Sequence, residues 1–174
     1  KSTLMNVLGG VFLPDSGEIY IDGELVEIKN VSDSQQYGVA FIHQEIALVP
    51  ELTVAENIFL GRELTASGFV SQKRMLKEAQ KWVDLVGLRV SPATRVKDLS
   101  IAEQQLVEIA KASSLNMKIM IMDEPTSSLS ENETEYLYGL IRQLTESGIG
   151  IIYISHKMSE IFTITDRVSV LRDG

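Results

Sequence analysis

Apolar and polar residues alternate along this chain with two periods. Leu4, Val7 and Leu8 share one helical face and predict a helix from Ser2 to Leu8, closed by Gly9 and Gly10. From Gly17 to Val26 the period drops to two around Asp22-Gly23, the signature of a tight hairpin. Val39 to Ile42 is a short apolar strand. Thr53 and Glu56 form a capping box that opens a helix to Leu60. Ser71 to Val86 is amphipathic, with Met75, Ala79, Trp82 and Val86 on its apolar stripe. A second capping box, Ser100 and Glu103, opens a helix to about Ser113 with Ala102, Leu106, Ile109 and Ala110 as its apolar face. Beyond it come a strand (Met117 to Met122), a helix (Glu131 to Thr145), a strand (Gly150 to Ile154), a helix (Met158 to Ile164) and a strand (Asp166 to Leu171). Buried strands alternating with helices imply right-handed crossovers, a mainly parallel sheet and an α/β fold. The stretch from about residue 55 to 113 carries no predicted strand and reads as a helical insert.

Length and composition narrow this picture. The chain has 174 residues, 44% of them hydrophobic, enough for one domain with a real core. Its net charge of −8 provides no basic face for nucleic acid. The absence of cysteine excludes disulfides and thiolate metal sites and fits a reducing compartment. No apolar run approaches the ~18 residues that a membrane-spanning helix needs. The first residue is Lys1 rather than Met, so we expect a cut, processed or incomplete N-terminus.

Candidate chemistry gathers at strand ends. Lys1-Ser2-Thr3 followed by a helix matches the last residues of a phosphate-binding loop. There a Lys meets the outer phosphates and a Ser hydroxyl binds magnesium. The loop's glycines are not among these residues, and Lys-Ser-Thr alone says little. Met117 to Met122 delivers Asp123 and Glu124 at the C-terminal end of a strand, the edge at which open α/β sheets bind ligands. Adjacent carboxylates fit a division of labour, with Asp on hydrated magnesium and Glu on water. They fit a solvated Asp-Glu-Pro turn equally well. The strand Ile151 to Ile154 leads to Ser155 and His156, 33 residues after Asp123, a normal span for one βαβ unit. Gln44 follows the strand Val39 to Ile42, and His43 beside it reads as structural or solvated. Trp82, Met120 and Met122 read as core. Glu131, Glu133 and Glu135 read as a solvated helix face.

In this order the motifs resemble the nucleotide-binding domain of ABC transporters over essentially the whole chain. The matching residues are Lys1-Ser2-Thr3 (the end of Walker A), Gln44 (Q-loop), Leu99 to Gln105 (signature), Ile119 to Glu124 (Walker B), Ser127 to Ser130 (D-loop) and His156 (switch histidine). The common signature Leu-Ser-Gly-Gly-Gln is here Leu99-Ser100-Ile101-Ala102-Glu103. With Asn57 to Glu63 and Tyr153 to Met158, this variant resembles the first ATPase half of ribose, galactose and arabinose importers.

The resemblance implies an ABC-type P-loop NTPase spanning residues 1–174. It would have a mainly parallel sheet, a small antiparallel β region and a helical subdomain at about residues 55–113, and would lack the first strand and the Walker A glycines. It implies ATP and Mg²⁺ as ligands. Lys1 and Thr3 would touch phosphates, and Ser2, Gln44 and Asp123 would serve the magnesium. Glu124 would be the general base, with His156 at the γ-phosphate and Gln44 also at the attacking water. Ser100, Ile101, Ala102, Glu103 and Gln104 would face the nucleotide held by a partner half. The implied partners are a second ATPase half, transmembrane permease subunits and, indirectly, an extracytoplasmic sugar-binding protein, with no nucleic acid. The implied place is the cytoplasmic face of the bacterial inner membrane.

The altered signature has a physical reading. Ser100 as N-cap points a helix N-terminus at an anion. Ile101 in place of glycine hinders backbone approach. Glu103 adds a repulsion of roughly 2 kcal/mol at ~7 Å and an effective dielectric of about 20. A plain capping box explains Ser100 and Glu103 as well, and the two roles are compatible. We expect this signature to serve the weaker of two composite sites. The competing functions are a soluble ABC ATPase of translation or repair and a decayed nucleotide-gated dimerisation module. The short span from Gln44 to Ser100 without heptads, together with the acidic charge, disfavours the first. Retention of Glu124 and His156 disfavours the second.

Overall fold

The computed structural model describes residues 1–66, 68–115 and 117–171. Three parallel strands form the central sheet in the order β3 (Val39–Ile42), β6 (Ile119–Asp123), β7 (Gly150–Ile154). Ile42 pairs with Met122, and Asp123 pairs with Ile154. The middle strand is covered on both faces: Met120, Ile121 and Met122 are all fully buried. Burial on both faces explains why it reads as an unbroken apolar run rather than an alternating one.

Alternation sorts the sheet's side chains into two cores. Ala40, Ile42, Met120 and Met122 point to one face. There they meet α3 (Val54–Ile58), α4 (Gln72–Leu85), α5 (Ile101–Ser113) and α6 (Glu131–Glu146). Val39 and Ile121 point to the other face, against Met5 of α1 (Ser2–Leu8) and Ile21 of the antiparallel hairpin β1 (Ile19–Ile21)–β2 (Glu24–Val26). Asp22 and Gly23 turn that hairpin with φ of 54° and 82°, the positive pair that a two-residue hairpin turn requires. Lys118, at the entrance to β6, forms a salt bridge with Asp22 and so ties the turn to the sheet.

The expected helices form where their caps place them. Thr53 and Ser100 each close a capping box, with Glu56 and Glu103. Ser130 does the same with Glu133, whose carboxylate accepts the Ser130 N–H at 2.8 Å. Glu133 is therefore a cap as well as part of an acidic face. On α4, Met75, Ala79 and Val83 are buried and Trp82 packs partly buried against the same core. The buried face of α5 is wider than its apolar stripe and takes in Gln105 and Glu108.

Three features differ from expectation. A short helix, α2 (Val31–Gln36), starts at the Asn30 N-cap; six residues are too few to show an apolar period. The insert is not free of strands: β4 (Thr65–Ala66) and β5 (Phe69–Val70) pair antiparallel, too briefly to register as an alternating run. The run Asp166 to Leu171, which follows α7 (Met158–Ile164), makes no ladder. It flanks an open apolar groove along β7, with Val168, Val170 and Leu171 exposed. Strand periodicity reports a side-chain pattern, whereas a strand needs a hydrogen-bonding neighbour, and β7 pairs only with β6 among the described residues. No helix among the described residues is long and apolar enough to cross a membrane.

Candidate functional site

Parallel pairing puts the C-terminal ends of β3, β6 and β7 side by side, and three of the candidate motifs follow from that register. Gln44 lies two residues past β3, exposed in a bend beside His43, whose ring stacks on Phe41 at 4.3 Å. Asp123 ends β6 and Glu124 follows it. His156 lies two residues past β7.

Glu124 adopts a positive φ of 48°, unusual for a residue with a side chain. Its N–H donates to the Ile154 carbonyl at 2.9 Å, which holds the turn after β6 against the end of β7. Non-glycine residues in this conformation persist where their surroundings enforce them, commonly at functional sites. The side chain reaches His156: Oε1 and Nδ1 are 2.9 Å apart. The Glu124 side chain is 28% exposed and that of His156 69%. With Glu124 ionised, Nδ1–H is the donor.

A second carboxylate stands behind this pair, and its role was not legible in the sequence. Glu160 of α7 is buried and accepts from Thr126, Ser155, Tyr153 and Lys157. Burial pushes its proton affinity up, but the three hydroxyls and the ammonium outweigh that and hold the carboxyl below the usual glutamate range. Burial, and then the bond to Glu160, raises the Tyr153 phenol far above its ordinary value. The available sequence signal was an acid within the apolar pattern of α7, four residues before Ile164.

Glu108 of α5 is the other buried acid. Its Oε1 accepts the Ala47 N–H at 2.6 Å, which fastens the segment after Gln44 to the signature helix. Its Oε2 is buried without a hydrogen-bond partner among the described residues. Burial raises its proton affinity, offset in part by the Ala47 N–H and the Lys111 charge.

Lys1, Ser2 and Thr3 open α1 and are exposed. Lys1, with Leu4, Met5 and Leu8 of α1, lines a groove of about 800 Å³ that runs along β7 from Gly150 to Ser155, next to His156. The signature residues lie apart. Ser100 and Glu103 satisfy each other's backbone N–H groups, and Gln104 donates to the Leu99 carbonyl at 3.0 Å. Ser100, Ala102 and Glu103 line a separate hollow of about 400 Å³ against the first turns of α6, and Ile101 is 51% exposed. No hydrogen bond among the described residues joins Ser100 to Gln104 with Gln44, Asp123, Glu124 or His156.

The oxygens expected to serve magnesium are the Ser2 hydroxyl at the start of α1, the Gln44 amide just past β3 and the Asp123 carboxylate at the end of β6. They are hard oxygens, suited to magnesium, which keeps several waters and binds one or two carboxylates plus substrate phosphates. No cluster of three or more His, Cys, Asp or Glu side chains among the described residues could cage a metal by itself.

Comparison with known proteins places this geometry. The family model described as ABC transporter matches residues 1–127. The chain is 49% identical over its full length to a ribose import ATP-binding protein of Streptomyces avermitilis, of which it covers 33%. It is 51% identical to a ribose import ATP-binding protein of Escherichia coli O157:H7, covering 34%, and 47% identical to a xylose import ATP-binding protein of Geobacillus kaustophilus, covering 35%. It thus spans about a third of the length of these curated relatives. Its fold matches the ADP conformation of MJ1267, an ATP-binding cassette of an ABC transporter, with a TM-score of 0.81 at 24% identity over 95% of this chain and 69% of that one. It also matches the dimeric post-hydrolysis ATP-binding cassette MJ0796 bound to ADP and Pi, with a TM-score of 0.72 at 26% identity over 91% of this chain and 71% of that one. The ordered motifs, the sheet that aligns them and these matches together make the chain a member of the ABC transporter family, on its ATP-binding side.

Proposed function

We propose that this chain binds and hydrolyses ATP as one half of the motor of a monosaccharide importer. The observation that carries the reading is the Glu124–His156 pair, 2.9 Å apart at the C-terminal edge of a parallel sheet, with Asp123 and Gln44 alongside. The names of its relatives, ribose and xylose import ATP-binding proteins, support the substrate class.

In this reading Lys1 and Thr3 contact phosphate oxygens. Ser2, Gln44 and Asp123 would hold magnesium, which would supply positive charge to the phosphates. Glu124 orients the attacking water and takes its proton, with one carboxylate oxygen paired to His156. The His156 ring, mostly exposed, contacts the γ-phosphate. Ser100 to Gln104 face a nucleotide held by a second half; the cassette MJ0796 is itself dimeric. With Ile101 and Glu103 in the signature, they serve the weaker of two composite sites. Closure of the two halves on ATP and their opening after hydrolysis would drive permease subunits, fed by an extracytoplasmic sugar-binding protein, from the cytoplasmic face of the membrane.

The test is steady-state ATP hydrolysis by the full-length protein with its permease and sugar-binding protein. Turnover stimulated by loaded binding protein and abolished by Glu124→Gln supports the reading. Nucleotide binding without turnover in the wild type would point instead to a gated dimerisation module.

A further inference from the structure

Glu160 is 4% exposed, yet every strong donor around it is aimed at its carboxylate. Oε1 accepts from Thr126 Oγ1 at 2.6 Å and lies 3.0 Å from Lys157 Nζ. Oε2 accepts from Ser155 Oγ at 2.8 Å and Tyr153 OH at 2.9 Å. These donors come from the loop after β6 (Thr126), from β7 itself (Tyr153) and from the turn that follows it (Ser155 and Lys157). Thr126 is two residues past Glu124, and Ser155 immediately precedes His156. Ser155 Oγ also accepts the Lys157 N–H at 3.0 Å, closing the turn on which His156 sits.

A carboxylate in such a place is expensive unless each lone pair is met, and an apolar side chain would fill the space at lower cost. Four convergent charge-assisted bonds do more than fill space: they fix orientation. We propose that Glu160 is a positioning residue for ATP hydrolysis, locking the loop that carries Glu124 to the loop that carries His156. The proposal rests on the hydrolytic reading above. Glu160 is buried behind the Glu124–His156 pair and acts through it. It acts by holding the Glu124–His156 geometry, where a displacement of about 1 Å can change a rate by roughly 10²-fold.

The test uses the full-length protein and compares wild type with Glu160→Gln, Glu160→Ala, Thr126→Val, Ser155→Ala and Glu124→Gln. Turnover number, KM for ATP, affinity for a non-hydrolysable ATP analogue and melting temperature are measured for each. Glu160→Gln keeps the shape and part of the network. It is expected to lower kcat by about 10-fold, and Glu160→Ala by more, with KM and analogue affinity unchanged within about threefold. Combining Thr126→Val with Glu160→Gln should add little, since both act on one network. If the Glu160 variants fail to fold, Thr126→Val and Ser155→Ala, which leave the charge paired, should each lower kcat alone. Unchanged kcat in folded Glu160→Gln overturns the proposal, as does a loss matched by weaker nucleotide binding, or unchanged kcat in both single-donor variants. Persistent turnover in Glu124→Gln would instead overturn the general-base reading, so the two failures are distinguishable.

Discussion

His156 Nδ1 lies 2.9 Å from Glu124 Oε1, across the gap between two neighbouring strand ends. One residue sits in a turn of positive φ and is 28% exposed, the other is 69% exposed, so the pair joins a partly buried carboxylate to a ring that faces solvent. Replacing Glu124 by Gln keeps the size and the hydrogen-bonding oxygen but removes the base. Turnover of the full-length protein should fall by about 10²–10⁴-fold while ATP binding is retained. Hydrolysis and nucleotide-binding assays on the same preparation check this.

The signature makes a contrasting prediction. Ser100 and Glu103 are engaged with each other as a cap, and Ile101 projects into solvent. If this signature serves the weaker composite site, Ser100→Ala should reduce turnover far less than Glu124→Gln. Equal losses would mean that both composite sites contribute alike. Some loss of stability, of about 1 kcal/mol, is expected from the missing cap and can be read separately in a melt.

Glu108 should make stability depend on pH in the direction opposite to an ordinary paired carboxylate. Burial raises its folded-state proton affinity above the unfolded value. The stability it contributes is therefore complete below the unfolded pKa of about 4.3 and lost as pH rises through the folded one. Glu108→Gln keeps an acceptor for the Ala47 N–H and cannot ionise. It should melt about 2–4 °C higher than wild type at pH 7 and 8, with the difference vanishing near pH 4. Glu160 has the opposite sign: its folded-state affinity is lowered, so its contribution is present at neutral pH and lost on acidification through the folded pKa.

Two glycines should respond oppositely to alanine. At Gly10, φ is +74° and an added Cβ would lie 2.2 Å from the Asn30 carbonyl oxygen, where the end of α1 meets the residue that caps α2. Gly10→Ala should destabilise by about 1–3 kcal/mol. Gly139 sits in α6, exposed, with nothing within 4 Å of an added Cβ. Gly139→Ala should stabilise by about 0.5–1 kcal/mol, because it removes only unfolded-state freedom. Denaturant titration of both variants checks the signs.

The chain's own pattern determined whatever depends on neighbours a few residues apart. The Thr53–Glu56 and Ser100–Glu103 boxes, the Asp22-Gly23 turn and the apolar run of β6 needed no distant partner to be legible. The grouping of Gln44, Asp123, Glu124 and His156 was legible as well, because each lies at or just past a strand end and parallel strands end side by side. Tertiary structure alone decided what depends on which segments meet. It placed Glu124 against His156, and brought Thr126 and Ser155 to Glu160 and Ala47 to Glu108. It held the six-residue α2 in place with a bond from Ser34 Oγ to the Leu8 carbonyl at 2.7 Å, and left Asp166 to Leu171 without a ladder despite its strand-like pattern. A buried carboxylate and a solvated one look alike in sequence, and burial and donors supplied from afar give Glu160 its place behind the site.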